Sequence, residues 1–162
     1  MIPNNLNLVR STEIVKQFHE IESERAAAIL AACYVDECLK DFIRLYMVEE
    51  PEMAAYKLLN GNSVHSFYAR IEFARACDWI TEDIKKDLHT IRHIRNEFSH
   101  NPDQNDFSQI PDCKKFQDFS RTYDSDNLRL QYLFTVSMTV GDMWNIIRPI
   151  LIKKQKAEEQ SE

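Results

Sequence analysis

The sequence predicts an all-α, single-domain helical bundle, on three observations. Only two glycines, Gly61 and Gly141, occur in 162 residues. That is too few for the hairpins and bulges of a sheet protein, which need residues at positive φ. Apolar residues recur at helical spacing through the stretches 12–48, 81–100 and 126–148. The chain is also long enough to bury one core without disulfides or metals.

The elements follow in order. Residues 1–11 form an N-terminal arm. A long central first helix starts near Thr12 and runs to about Val48, with a possible break near Glu22–Glu24. One apolar arc of this helix holds Ala28, Ile29, Ala32, Val35, Leu39, Phe42, Ile43 and Tyr46, and a second holds Ala27, Leu30, Ala31, Tyr34, Cys38 and Leu45. A helix that is apolar on two sides belongs at the centre of a bundle. Pro51 and Asn60-Gly61-Asn62 break the chain around a short helix. Asn62 or Ser63 caps the next helix, which carries Phe67, Ile71, Ala74 and Cys77. Thr81 then caps a helix with Glu82 and Asp83 in its first turn, where carboxylates suit the macrodipole, and "HNP" ends it. Residues 102–124 are a long polar loop with one short helix around Cys113–Phe119. Asp124, Ser125 or Asp126 caps a long C-terminal helix that Pro149 bends or ends, and residues 153–162 are a frayed tail.

Composition narrows the function classes. A net charge of −6 argues against direct DNA binding, which draws on clustered Lys and Arg, and there is no glycine-rich phosphate loop. Cys33, Cys38, Cys77 and Cys113 have no zinc-like spacing and read as reduced, packed thiols. "MIPNNLNLVRST" lacks the apolar core of a signal peptide, and no run reaches the roughly 18 apolar residues of a membrane span. The expectation is a cytoplasmic protein that needs neither cofactor nor metal.

The chemistry concentrates in "LHTIRHIRNEFSHNP", Leu88 to Pro102. On a helical wheel Ile84, Leu88, Ile91, Ile94 and Phe98 share an arc of about 120°, and Arg95 falls inside it. His89, His93, Asn96 and His100 form a separate stripe about 60° wide. An inward guanidinium needs a carboxylate. Asp36, in the main apolar arc of the first helix, is the expected partner in a buried Asp36–Arg95 ion pair, with Glu24 or Glu37 as substitutes. His89 and His93 have metal-ligand spacing, but no carboxylate or cysteine on that helix completes a set, so they read as a polar face. Arg70 and Arg75 on the preceding helix, with Arg92, are candidates for an acidic partner surface.

"RNEFSH", Arg95 to His100, resembles the Arg-x4-His motif of HEPN domains, with an asparagine following the arginine. The wider pattern is Glu22-Ser23-Glu24-Arg25-Ala26, Leu59-Asn60-Gly61, Phe67-Tyr68-Ala69-Arg70-Ile71 and Ile91 through His100. This pattern resembles the mannitol operon repressor family over about residues 20 to 100. That resemblance implies an all-helical fold and negative control of transcription. With no basic recognition helix in the chain, such control would act through a protein partner. The HEPN resemblance implies a different activity, metal-independent RNA cleavage in a homodimer. In that case Arg95 would steady the phosphorane charge, Asn96 would orient, and His100 would act as acid or base. Arg95 and His100 lie about 140° apart on the helix, so this chemistry requires two copies. A second apolar strip on the last helix, Leu130, Phe134 and Met138, is where a homodimer would form.

Overall fold

A computed structural model describes residues 8, 11–47, 57–59, 61, 63–110, 116, 118–121, 123 and 125–160. Five α-helices organise them: α1 (Ser11–Glu20), α2 (Glu24–Tyr46), α3 (Phe67–Ala76), α4 (Glu82–His100) and α5 (Leu128–Glu159), with a short 3-10 helix at Phe107–Gln109. No strand occurs among the described residues, so the all-α bundle expected from the sequence is what forms.

The long first helix is two helices. The chain turns at residues 21–23, where Ser23 caps α2 by accepting the Ala26 N–H at 3.2 Å. Arg129 closes the other side of this break, donating to the carbonyls of Phe18 (3.0 Å), His19 (3.3 Å) and Ile21. These are the orphan acceptors at the end of α1. α2 is central as expected, packing on α1, α3, α4 and α5 and burying Ala28, Ala32, Val35, Leu39, Phe42 and Ile43.

Contacts at the helix ends fix the directions. Arg25, at the start of α2, reaches carbonyls just past the end of α4, and Tyr46, at the end of α2, stacks on Trp79 just before α4 at 4.9 Å. α4 therefore runs antiparallel to α2. The Tyr132 hydroxyl donates to Ala28 O at 2.9 Å near the starts of α5 and α2, and Lys154 reaches Leu45 O at 3.5 Å near their ends. These two helices are parallel. Aromatic rings close both ends of the bundle: Phe42, Tyr46, Phe73 and Trp79 at one, Phe98, Phe107, Phe116 and Tyr132 at the other.

Several expected boundaries shift. The cap of α3 is Ser66, accepting the Ala69 N–H at 3.1 Å, and not Asn62 or Ser63. The chain at 64–65 is instead held by Arg70, which donates to Val64 O at 3.2 Å and His65 O at 2.6 Å. Gly61 is required where it stands, because its N–H bonds Lys57 O and a Cβ would sit 2.3 Å from that oxygen. Thr81 caps α4 as expected. Before it, Asp78 at φ 57° ends α3, with the Trp79 N–H on Ala74 O and the Asp78 N–H on Arg75 O.

The cap of α5 is Asn127, whose Oδ1 accepts the Leu130 N–H at 3.1 Å, rather than any residue at 124–126. α5 also passes Pro149 and stays helical to Glu159, so Pro149 does not end it and residues 153–159 are not a frayed tail. The carbonyl that Pro149 leaves without a donor belongs to Asn145, an exposed residue. The expected short helix around 113–119 falls largely outside the described residues, while the 3-10 turn at Phe107–Gln109 was not expected.

Candidate functional site: the Arg92–Arg95 flank of α4

The predicted Asp36–Arg95 pair does not form. Asp36 belongs to Arg70, whose Nε and Nη2 donate to Oδ1 at 2.7 Å and Oδ2 at 2.6 Å. The Arg70 side chain is only 4% exposed, and with two more bonds to loop carbonyls it is a clamp between α2 and α3. The wheel gave the correct face of each helix but not the axial register. Because Arg25 sits beside residues 101–104, Arg95 is level with about residue 31 of α2, roughly 8 Å short of Asp36. The substitute partners are also engaged elsewhere: Glu24 accepts the Phe107 N–H at 2.8 Å, and Glu37 holds Lys40 at 2.5 Å.

Arg95 is half-buried, and its guanidinium has no carboxylate or carbonyl partner among the described residues. Its Nε is buried and unbonded. It lies near the buried Tyr132 phenol, which Cys33 also neighbours. Burial and the nearby Cys33 push that phenol far above its ordinary pKa, and the Arg95 charge acts in the opposite direction. Arg92, one turn earlier on the same flank, also has a buried and unbonded Nε, and its guanidinium lies over the Tyr68 ring at 5.3 Å. Tyr68 is 52% exposed and its other neighbour is His89, ring to ring at 5.5 Å.

The other arginines with described partners each have a carboxylate or carbonyl to bind, although one Nη of Arg121 is also buried and unbonded. Arg25 and Arg129 bind carbonyls, Arg44 and Arg70 bind aspartates, Arg75 binds Asp78 and Glu82, and Arg121 binds Asp142. Of the expected partner-surface set, Arg70 is therefore buried and unavailable, Arg75 is committed to its own helix corner, and Arg92 remains.

The histidines divide as their helix positions imply. His89 Nε2 lies 2.7 Å from Glu72 Oε1, and Lys85 shares that carboxylate at 3.2 Å. Burial alone would raise the Glu72 pKa, but the hydrogen bonds and charges of His89 and Lys85 outweigh it and lower it. His93 faces Glu97 at 3.3 Å. A surface hollow of about 250 Å³ lies between His89, Thr90, Arg92, His93 and Asp118. No group of three His, Cys, Asp or Glu side chains among the described residues is arranged to hold a metal ion. His100 is exposed in the last turn of α4 and Asn96 is half-buried one turn before it. Neither Arg95 nor His100 lines the hollow beside His89 and His93.

Three structural contacts near the motif went unread in the sequence. Arg25 Nη1 binds the carbonyls of Asn101 (3.2 Å), Pro102 (2.9 Å) and Gln104 (3.5 Å), completing the C-terminus of α4. Together with Glu24 it makes "SER" at 23–25 a clasp on the loop after the motif helix. Asp87, buried in α4, accepts from Ser120 N (2.6 Å) and Oγ (2.6 Å) and pins the far part of that loop. Burial raises the Asp87 pKa despite those two bonds. The packed-thiol reading holds for Cys38 alone. Burial and the neighbouring carboxylates push its thiol up to about 12, whereas Cys33 and Cys77 are exposed and Cys113 lies outside the described residues.

Fold and flank together define an all-α bundle that carries on one helix two half-buried arginines without a carboxylate partner among the described residues, the first of them over an exposed tyrosine. Comparison with protein families, characterised proteins and solved structures finds no match to this chain. No described helix is long and apolar enough to cross a membrane.

Proposed function

We propose that this chain is a non-enzymatic regulatory protein, of the kind its resemblance to the mannitol operon repressor family implies. It would act in negative control of transcription by binding another protein, without reading DNA bases itself. The unpaired pair Arg92 and Arg95 carries the reading. A half-buried guanidinium without a counter-charge is costly, and two of them on one helix flank suit a partner that brings carboxylates. Tyr68, under the Arg92 guanidinium, offers the aromatic anchor common at protein interfaces. The net charge of −6 fits a protein partner better than a nucleic acid. The test is affinity capture from the native cell extract, comparing wild type with R92Q/R95Q. A specific protein held by wild type and lost by the folded double variant is the expected result. Recovery of nothing specific by wild type contradicts the proposal.

A metal-independent HEPN-type ribonuclease acting as a homodimer is the second reading, favoured by the exposure of His100 at the end of α4. An imidazole open to solvent can reach a ribose hydroxyl and is the side chain most used to give or take its proton. Against it stands the separation of Arg95 from His100 within one chain.

A further inference from the structure

The outward face of α5 is self-complementary. We propose that two copies of this chain pair along it, with their α5 helices antiparallel and crossing at Gly141. At 100° per residue, Leu130, Phe134 and Ser137 before Gly141, and Asn145, Arg148 and Ile152 after it, lie on one stripe. That stripe faces away from the side that buries Leu133, Val136, Val140 and Met143. Leu130 and Ile152 are each 36% exposed; Ser137, Asn145 and Arg148 are exposed as well.

Gly141 carries the argument. A glycine inside a helix costs about 1 kcal/mol relative to alanine, so its presence needs a reason. The backbone supplies none, since no described glycine has positive φ. Packing within the chain supplies none either, because a Cβ built on Gly141 meets nothing within 4 Å. What a glycine there offers is close approach of a second backbone from outside.

The spacing identifies that second backbone. From Gly141 the stripe steps back by four, three and four residues to Leu130, and forward by four, three and four to Ile152. It reads the same in both directions. A two-fold axis through Gly141 therefore sets Leu130 opposite Ile152, Phe134 opposite Arg148, and Ser137 opposite Asn145.

Each pairing is chemically matched: aliphatic on aliphatic, guanidinium on an aromatic ring, hydroxyl against amide. Arg148 has no partner among the described residues, and Phe134 is backed on one side by Tyr123 at 4.8 Å. A parallel arrangement would bring Arg148 against Arg148, which like charges oppose. Steps of three and four are those of helices packing at a shallow angle, and the seam would be about 33 Å long. The contact is isologous and closes at two copies.

α5 buries its opposite side against α2, α4 and α1, so this pairing holds the Arg95–His100 segment away from the two-fold axis. The inference stands independently of the proposed function.

Sedimentation velocity at micromolar protein tests it, with circular dichroism to verify the fold. Wild type is expected to sediment as a dimer. Gly141→Arg, whose side chain enters open space in a single chain, is expected to sediment as a folded monomer. Leu130→Glu, at an exposed position, is expected to do the same and decides the matter if Gly141→Arg does not fold. A monomeric wild type, or a dimer that survives a folded variant, overturns the proposal.

Discussion

At the scale of single residues, the structure separates arginines that hold the fold from arginines that do not. Arg70 is bidentate on Asp36 and also binds two carbonyls, so removing the carboxylate leaves a buried charge uncompensated. Asp36→Ala is expected to destabilise the chain by about 3–5 kcal/mol in urea denaturation, while Arg95→Gln stays within about 1 kcal/mol of wild type. An equal loss in both would show that Arg95 has a partner within the fold. Asp87 gives a pH-dependent counterpart. Its folded pKa is raised, so its favourable contribution is present below the ordinary aspartate value of about 3.9 and is lost as pH rises through the folded value. Asp87→Asn can still bond both Ser120 groups and needs no buried charge. It is expected to match or exceed wild type at pH 7 and to flatten thermal stability across the acidic range above pH 4. Asp87→Ala loses both bonds and should cost about 1–3 kcal/mol.

At the scale of elements, helix type and order were legible in the sequence because amphipathic periodicity survives any tertiary context. Thr81 and the stop at "HNP" were legible for the same reason, since capping chemistry is local. The exact caps of α3 and α5 were not. Ser66 and Asn127 compete with equally suitable neighbours, and long-range contacts such as those of Arg70 with Val64 and His65 decide between them. The break at residues 21–23 was visible only as a possibility, because Arg129, which completes it, lies over a hundred residues away in sequence. Pro149 misled in the other direction. A proline in a helix interior costs one hydrogen bond and a steric conflict, but here the orphaned carbonyl belongs to the exposed Asn145, and buried Ile147 and Leu151 on either side carry the helix through. Pro149→Ala is therefore expected to raise stability by roughly 1–3 kcal/mol, read as an increase in the urea midpoint. No increase would mean that the ends of α5 are held entirely by their packing on α2.

At the scale of the whole molecule, the fold was recoverable from pattern and the candidate site only in part. The wheel placed Arg95 within the inward arc of α4 and the histidines apart from it; the histidines do lie apart, and Arg95 stands half-buried at the edge of that arc. It could not supply the axial register between α2 and α4, so Asp36 was matched to the wrong arginine. Nor could it reveal that Tyr68, on α3, lies between Arg92 and His89, because that depends on how two helices dock. The "SER" clasp at 23–25 and the Asp36–Arg70 clamp also give parts of the motif pattern around "RNEFSH" a structural role that requires no catalysis. If the proposed function is right, the motif helix supports binding and performs no chemistry on RNA. The most direct test is incubation of the purified protein with structured and unstructured RNA in EDTA, alongside His100→Ala. Both RNAs are expected to remain intact with either protein. Cleavage by wild type that His100→Ala abolishes would contradict the proposed function.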